Sequence, residues 1–132
     1  MEFRSRIRPG TVLICEFPPK DQIRQGEMTK VRPVIVVNRR MASRKGLVNV
    51  VPVSMTAPHS PSPWHVLVPT AAMPAGWRER PGGRWAKCDM VATVSVERLR
   101  ISTRYARTPI SYVDEQTLRD IRAALGYVFE VL

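Results

Sequence analysis

Apolar residues along this chain fall into short runs set off by prolines, glycines and polar stretches. Residues 11–17 read Thr-Val-Leu-Ile-Cys-Glu-Phe, rich in β-branched and aromatic side chains, and predict a strand. A polar loop at 18–30 follows. Residues 34–37, Val-Ile-Val-Val, are apolar without alternation, as in a strand buried on both faces. Pro33 stands just before that run, where a missing N–H is tolerated. A basic connection at 39–46 leads to a third strand at 47–53. Pro58, Pro61 and Pro63 stiffen the approach to a short strand at 65–68. Pro74, Gly76, Pro81, Gly82 and Gly83 make 73–83 an exposed loop, and 84–94 is the next strand expected.

The period then changes. Asp114 suits an N-cap and Glu115 a first helical turn. Leu118, Ile121, Leu125, Val128, Phe129 and Leu132 recur at helical spacing. The pattern predicts a helix over about 114–126, because Gly126 costs about 1 kcal/mol relative to alanine and favours an end or a fray there. There is no internal repeat and no linker, so residues 1–132 are expected to form one mainly β domain, a small barrel or sandwich with a C-terminal helix.

Composition narrows the classes. A hydrophobic content of 44% argues for a folded core rather than a disordered tail. No apolar run reaches the length of a membrane-spanning helix. The first six residues, basic at Arg4 and Arg6, are not followed by the apolar centre of a signal peptide, so the chain reads as cytoplasmic. Cys15 and Cys88 lie in separate apolar segments and are expected as reduced core thiols. His59 and His65 are the only histidines, so neither a metal site nor a cofactor is expected.

Charge changes the picture most. The net charge is +10 and the isoelectric point about 10.8. Residues 1–113 hold 19 basic and 7 acidic side chains, whereas 114–132 hold 2 and 4. The surplus therefore belongs to the β body, and a field of that sign attracts polyanions, nucleic acid first. An arginine-rich solvated surface would carry the same surplus, so charge alone names neither the polyanion nor a reaction.

Four segments are more specific. They are Pro-Gly-Thr-Val-Leu-Ile-Cys-Glu-Phe at 9–17, Gly-Glu-Met-Thr-Lys-Val-Arg-Pro-Val-Ile-Val-Val at 26–37, Val-Val-Pro-Val-Ser at 50–54, and Trp-Ala-Lys-Cys-Asp-Met at 85–90. In this order, with the terminal helix, the chain resembles the MazF/PemK toxins of bacterial type II toxin–antitoxin systems from about Pro9 to its end. The resemblance implies an SH3-like small barrel with a C-terminal α-helix, a twofold homodimer, and cleavage of single-stranded RNA without a metal. It also implies an antitoxin partner whose extended acidic tail covers the RNA site. The implied reaction is attack of a ribose 2′-OH on the adjacent phosphate, leaving a 2′,3′-cyclic phosphate and a 5′-OH and so inhibiting translation and growth.

That chemistry needs a proton acceptor, a positive clamp on the phosphorane and a donor for the leaving oxygen. Arg32 matches the family's catalytic arginine, and a guanidinium can grip two phosphate oxygens at once. Its structural alternative is a surface arginine that pairs with Glu27 or holds the preceding loop. Asp89 matches a catalytic aspartate, with backbone N–H binding at a strand end as the alternative. Lys87 stands where the branch of the family whose motif reads basic-Cys-Asp has arginine; it can neutralise phosphate and donate a proton but lacks the two-point grip. Strand alternation puts positions 87 and 89 on one face. Ser54 and Thr56 follow the Val-Pro-Val segment, where the resemblance implies phosphate-binding hydroxyls, and flank Met55, a position where relatives often carry one; a solvent-exposed turn hydroxyl is the alternative for each. Glu27 matches an acidic residue used as base in some relatives, and ranks below Asp89. His65 is a possible RNA contact, and the basic loop with Arg39, Arg40, Arg44 and Lys45 can track phosphates. Two other readings stay open: a toxin of the same fold that binds DNA gyrase without catalysis, and a barrel that binds RNA but has lost activity.

Overall fold

The computed structural model describes residues 3–101 and 110–130. Its strands are β1 (Thr11–Glu16), β2 (Val31–Val36), β3 (Leu47–Ser54), β4 (His65–Leu67), β5 (Trp85–Lys87), β6 (Ala92–Ser95), β7 (Leu99–Arg100) and β8 (Ser111–Tyr112), followed by helix α1 (Glu115–Val128). The sheet runs β4-β5-β3-β2-β1-β7, with β6 also on β3 and β8 also on β1. All pairings are antiparallel. The fold is the mainly β, barrel-like domain with a C-terminal helix that the sequence predicts.

Strand parity builds two cores. On one side Leu13, Cys15, Val34, Val36, Val48 and Val50 meet Val94, Val96 and Leu99. On the other Val12, Ile35, Val51 and Val53 pack with Val66, Ala86 and Met73 beneath Ile121 and Ala124 of α1. The central strands are therefore buried on both faces, which is why their runs lack alternation. Each fully buried Val, Leu or Ile contributes roughly 1.5–3 kcal/mol.

Helix α1 starts where expected, with the Asp114 carboxylate accepting the Thr117 N–H at 2.7 Å. That bond holds the Asp114 carboxyl below its usual range. Gly126 does not end the helix, which continues to Val128. Ile121 and Ala124 are buried with Thr117, whereas Phe129 lies beyond the last turn and is 61% exposed. Leu132 lies outside the described residues.

Three further features depart from the expected elements. Strand β2 starts at Val31, ahead of the apolar run, because Arg32 and Pro33 pair with Cys15 and Ile14 of β1. The single strand expected over 84–94 is two. A 3₁₀ turn at Cys88–Met90 separates β5 from β6, since the Cys88 N–H goes to the Trp64 carbonyl and the Val91 N–H returns to Cys88. The loop before β5 is organised from within by Arg84, only 1% exposed. Its guanidinium donates to the carbonyls of Trp77 (2.7 Å), Gly82 (2.6 Å), Gly83 (3.2 Å) and Arg80.

Gly10 sets the entry to β1. Its φ of 94° lies in the left-handed region, where only glycine is unstrained. There its N–H reaches the Val36 carbonyl at 2.7 Å and its carbonyl accepts from Val113 at 2.9 Å.

Candidate active site

The same parity that fills the first core also builds a cavity. Along β2 the positions Val36, Val34 and Arg32 share a face, and along β3 so do Val48, Val50, Pro52 and Ser54. The valines are core, and Arg32, Pro52 and Ser54 are the next positions outward, at the mouth of the barrel. Pairing extends this face sideways, because Ser54 lies opposite Trp85 and Lys87 lies opposite His65. Directly opposed residues hold their Cβ atoms about 4.5–5.5 Å apart, so His65 and Lys87 stand side by side. Val53, Ala86 and Val66 point the other way, into the core under α1.

The resulting cavity has a volume of about 310 Å³ and is lined by Glu27, Arg32, Ser54, His65, Lys87 and Asp89 together with Gly26, Met28, Pro52, Val53 and Met90. Arg32 donates Nε–H to the Thr29 carbonyl at 2.7 Å. This fixes the guanidinium plane and leaves both terminal nitrogens without a partner among the described residues. Glu27 does not pair with it; its carboxylate accepts the Arg24 N–H at 2.5 Å. Asp89 is exposed and makes no hydrogen bond or ion pair among the described residues. It projects from the 3₁₀ turn rather than from a strand, so it reaches the same cavity as Lys87 by a turn and not by alternation.

Ser54 is 8% exposed, and its hydroxyl accepts the Thr56 N–H at 3.1 Å. Thr56 is exposed and does not line the cavity. His65 packs edge-on against Trp64, ring centres 6.0 Å apart, and its Nδ1 is buried without a hydrogen-bond partner. Burial pushes the Cys88 thiol up to about 12, with the Asp89 charge adding to the shift, so the neighbouring sulfur stays protonated at neutral pH. Arg39, Arg40 and Arg44 lie away from the cavity, at the opposite end of the β2–β3 pair.

Two carboxylates, two cations, a hydroxyl and an imidazole thus converge from separate chain segments. The sequence alone points to those six but not to the wall formed by Met28 and Met90. Unbranched thioether side chains carry no spacing signal that marks them as cavity lining.

The family profile of PemK-like, MazF-like toxins of type II toxin–antitoxin systems matches residues 8–129. The chain belongs to that family. Solved MazF structures share its fold. The Mycobacterium tuberculosis toxin MazF-mt6 superposes with a TM-score of 0.62 at 21% identity, covering 95% of this chain and 99% of that one. MazF from Deinococcus radiodurans gives 0.66 at 19% identity, covering 94% and 96%. A mycobacterial endoribonuclease solved in complex with its cognate antitoxin gives 0.60 at 17% identity, covering 96% and 97%. No curated protein sequence matches the chain. Among the described residues of this MazF/PemK chain, no helix is long and apolar enough to cross a membrane.

Proposed function

We propose that this MazF/PemK toxin is a metal-independent endoribonuclease acting on single-stranded RNA in the cytoplasm. One observation carries the reading: Arg32, Lys87 and Asp89 open into one cavity, with the terminal nitrogens of Arg32 uncommitted among the described residues. Asp89 removes the proton of the ribose 2′-OH as that oxygen bonds to the adjacent phosphorus. Arg32 grips the two non-bridging oxygens, whose charge grows in the transition state. Lys87 gives a proton to the departing 5′ oxygen as the P–O bond breaks. The products are a 2′,3′-cyclic phosphate and a 5′-OH. Ser54 and His65 line the same cavity, and in this reading they meet the phosphate and a base beside these groups.

The reading extends to assembly. A homodimer bound by an acidic antitoxin tail fits the net charge of +10 and the antitoxin complexes among its structural neighbours. Sedimentation at about twice 15.0 kDa checks the dimer, and a monomer at micromolar concentration would refute it.

The decisive experiment uses a mixed-sequence RNA and mass spectrometry of the ends. Cyclic phosphate and 5′-OH ends are expected in excess EDTA, and none when the nucleotide 5′ of the cut is 2′-deoxy. Full cutting of the deoxy substrate would eliminate the 2′-OH as nucleophile.

A further inference from the structure

The peptide unit between Thr29 and Lys30 stands in an unusual orientation beside the cavity. Lys30 has a φ of 68°, in the left-handed region that residues with a Cβ rarely enter. Among the described residues only one other non-glycine does so, Glu130. Glu130 follows the last turn of α1, where a left-handed residue is a common helix ending. Lys30 has no helix to end. It lies at the entry to β2, two residues before Arg32. A residue held in a sparsely populated conformation persists only where its surroundings over-determine it, and such residues gather at functional sites.

Three hydrogen bonds hold it there. The Lys30 carbonyl accepts the Phe17 N–H at 2.9 Å, and the Lys30 N–H goes one residue further, to the Pro18 carbonyl at 3.3 Å. The oxygen of the same peptide unit as that N–H, the Thr29 carbonyl, accepts Nε–H of Arg32 at 2.7 Å. One rigid plane is thus pinned through its N–H to the chain leaving β1, and through its oxygen to a side chain of the cavity. The φ of Lys30 sets the rotation of that plane. The nearest ordinary value, about −60°, would turn it through roughly 130° and carry the Thr29 oxygen away from Arg32.

We propose that Lys30 is a positioning residue for Arg32: its left-handed backbone turns the Thr29 carbonyl onto the Nε–H and so aims the guanidinium into the cavity. The inference rests on the nuclease reading for what the guanidinium acts on. Nε–H lies in the guanidinium plane, so this one bond also directs the two terminal nitrogens. A fork released from it would swing through several orientations, and phosphate oxygens would meet their donors in only a fraction of them. Misplacement by about 1 Å can cost about 10²-fold in rate. The Lys30 side chain is exposed and does not line the cavity, so its part is played by the backbone and not by the ammonium.

Lys30→Gly and Lys30→Val remove the same charge and differ in whether the left-handed conformation is easy or hard to adopt. In single-turnover cleavage at saturating RNA the glycine variant should be about 10–100-fold faster than the valine variant, with equal RNA affinity. If the valine variant fails to fold, Lys30→Ala replaces it and should be at least about threefold slower than the glycine variant. In an Arg32→Lys background, which has no Nε–H, the ratio should shrink to near one. An unchanged ratio there, or equal rates of the two variants in the Arg32 protein, overturns the proposal. A second reading needs no RNA. The Arg32 Nε–H resonance, identified by its loss in Arg32→Lys, should exchange with water more slowly in the glycine variant than in the valine or alanine variant, and equal exchange overturns the proposal. Absence of cyclic phosphate ends from the unmodified protein would refute the nuclease reading instead, and the exchange rates would then decide whether Lys30 positions Arg32.

Discussion

Replacing Arg84 with methionine tests how the loop before β5 is held. The guanidinium is 1% exposed and serves four carbonyls, those of Trp77, Arg80, Gly82 and Gly83. No carboxylate pairs with it among the described residues. A hydrogen bond to a charged group contributes about 1.5–3 kcal/mol, so four would suggest a large loss. Two effects reduce it. Arg80 and Gly82 are exposed, so their carbonyls rehydrate once the loop loosens. The variant also escapes the cost of desolvating the guanidinium, several kcal/mol for a buried ion. A net loss of about 3 kcal/mol remains. Urea denaturation should show a midpoint lower by roughly 1–2 M with an unchanged slope. Arg84→Lys should rescue little, because one ammonium cannot span four acceptors arranged around a planar fork. A methionine variant within about 0.5 kcal/mol of the parent would refute the account of Arg84 as the organiser of this loop.

Arg32→Ala should slow single-turnover cleavage at saturating RNA by about 10²–10³, the usual cost of one missing transition-state donor, with little change in RNA affinity; an unchanged rate would shift the chemistry to Asp89 and Lys87. The cysteines give a pH prediction. Burial pushes Cys15 up to about 11, against a smaller lowering by Arg98, and Cys88 up to about 12. Above the ordinary thiol value of 9.0 the unfolded chain therefore binds fewer protons than the native one, so stability falls as pH rises from there toward 11 and 12. Denaturation midpoints on the alkaline side check this, and prompt labelling of both thiols in the native protein at neutral pH would contradict it.

What the sequence disclosed follows from how strongly each element is specified. Strands β1 to β3 and helix α1 were legible because long apolar runs and a helical period are properties of the segment itself. Strands β7 and β8 were not, since each has two residues and exists only by pairing with β1. The break at Cys88 was hidden because its cause, the Trp64 carbonyl, lies in another segment. Arg84 was hidden among 17 arginines, since nothing local distinguishes a buried one. Arg32, Lys87 and Asp89 were legible by resemblance, but their meeting with Ser54 and His65 depends on strand register, which spacing along the chain does not fix.

That register has a consequence for how the protein fails. In β2, Arg32 occupies the same row as Val34 and Val36, and in β3 Ser54 continues the row of Val48 and Val50. A slip of one residue between these strands would turn every side chain of a row to the opposite face. It would drive the Arg32 guanidinium toward the layer under α1 and exchange the side chains of the two cores, each shaped for the other set. Misassembly therefore disarms the molecule in the same step that destabilises it. For a toxin of this family, that ties the assembly of the cavity to the accuracy with which its strands pair.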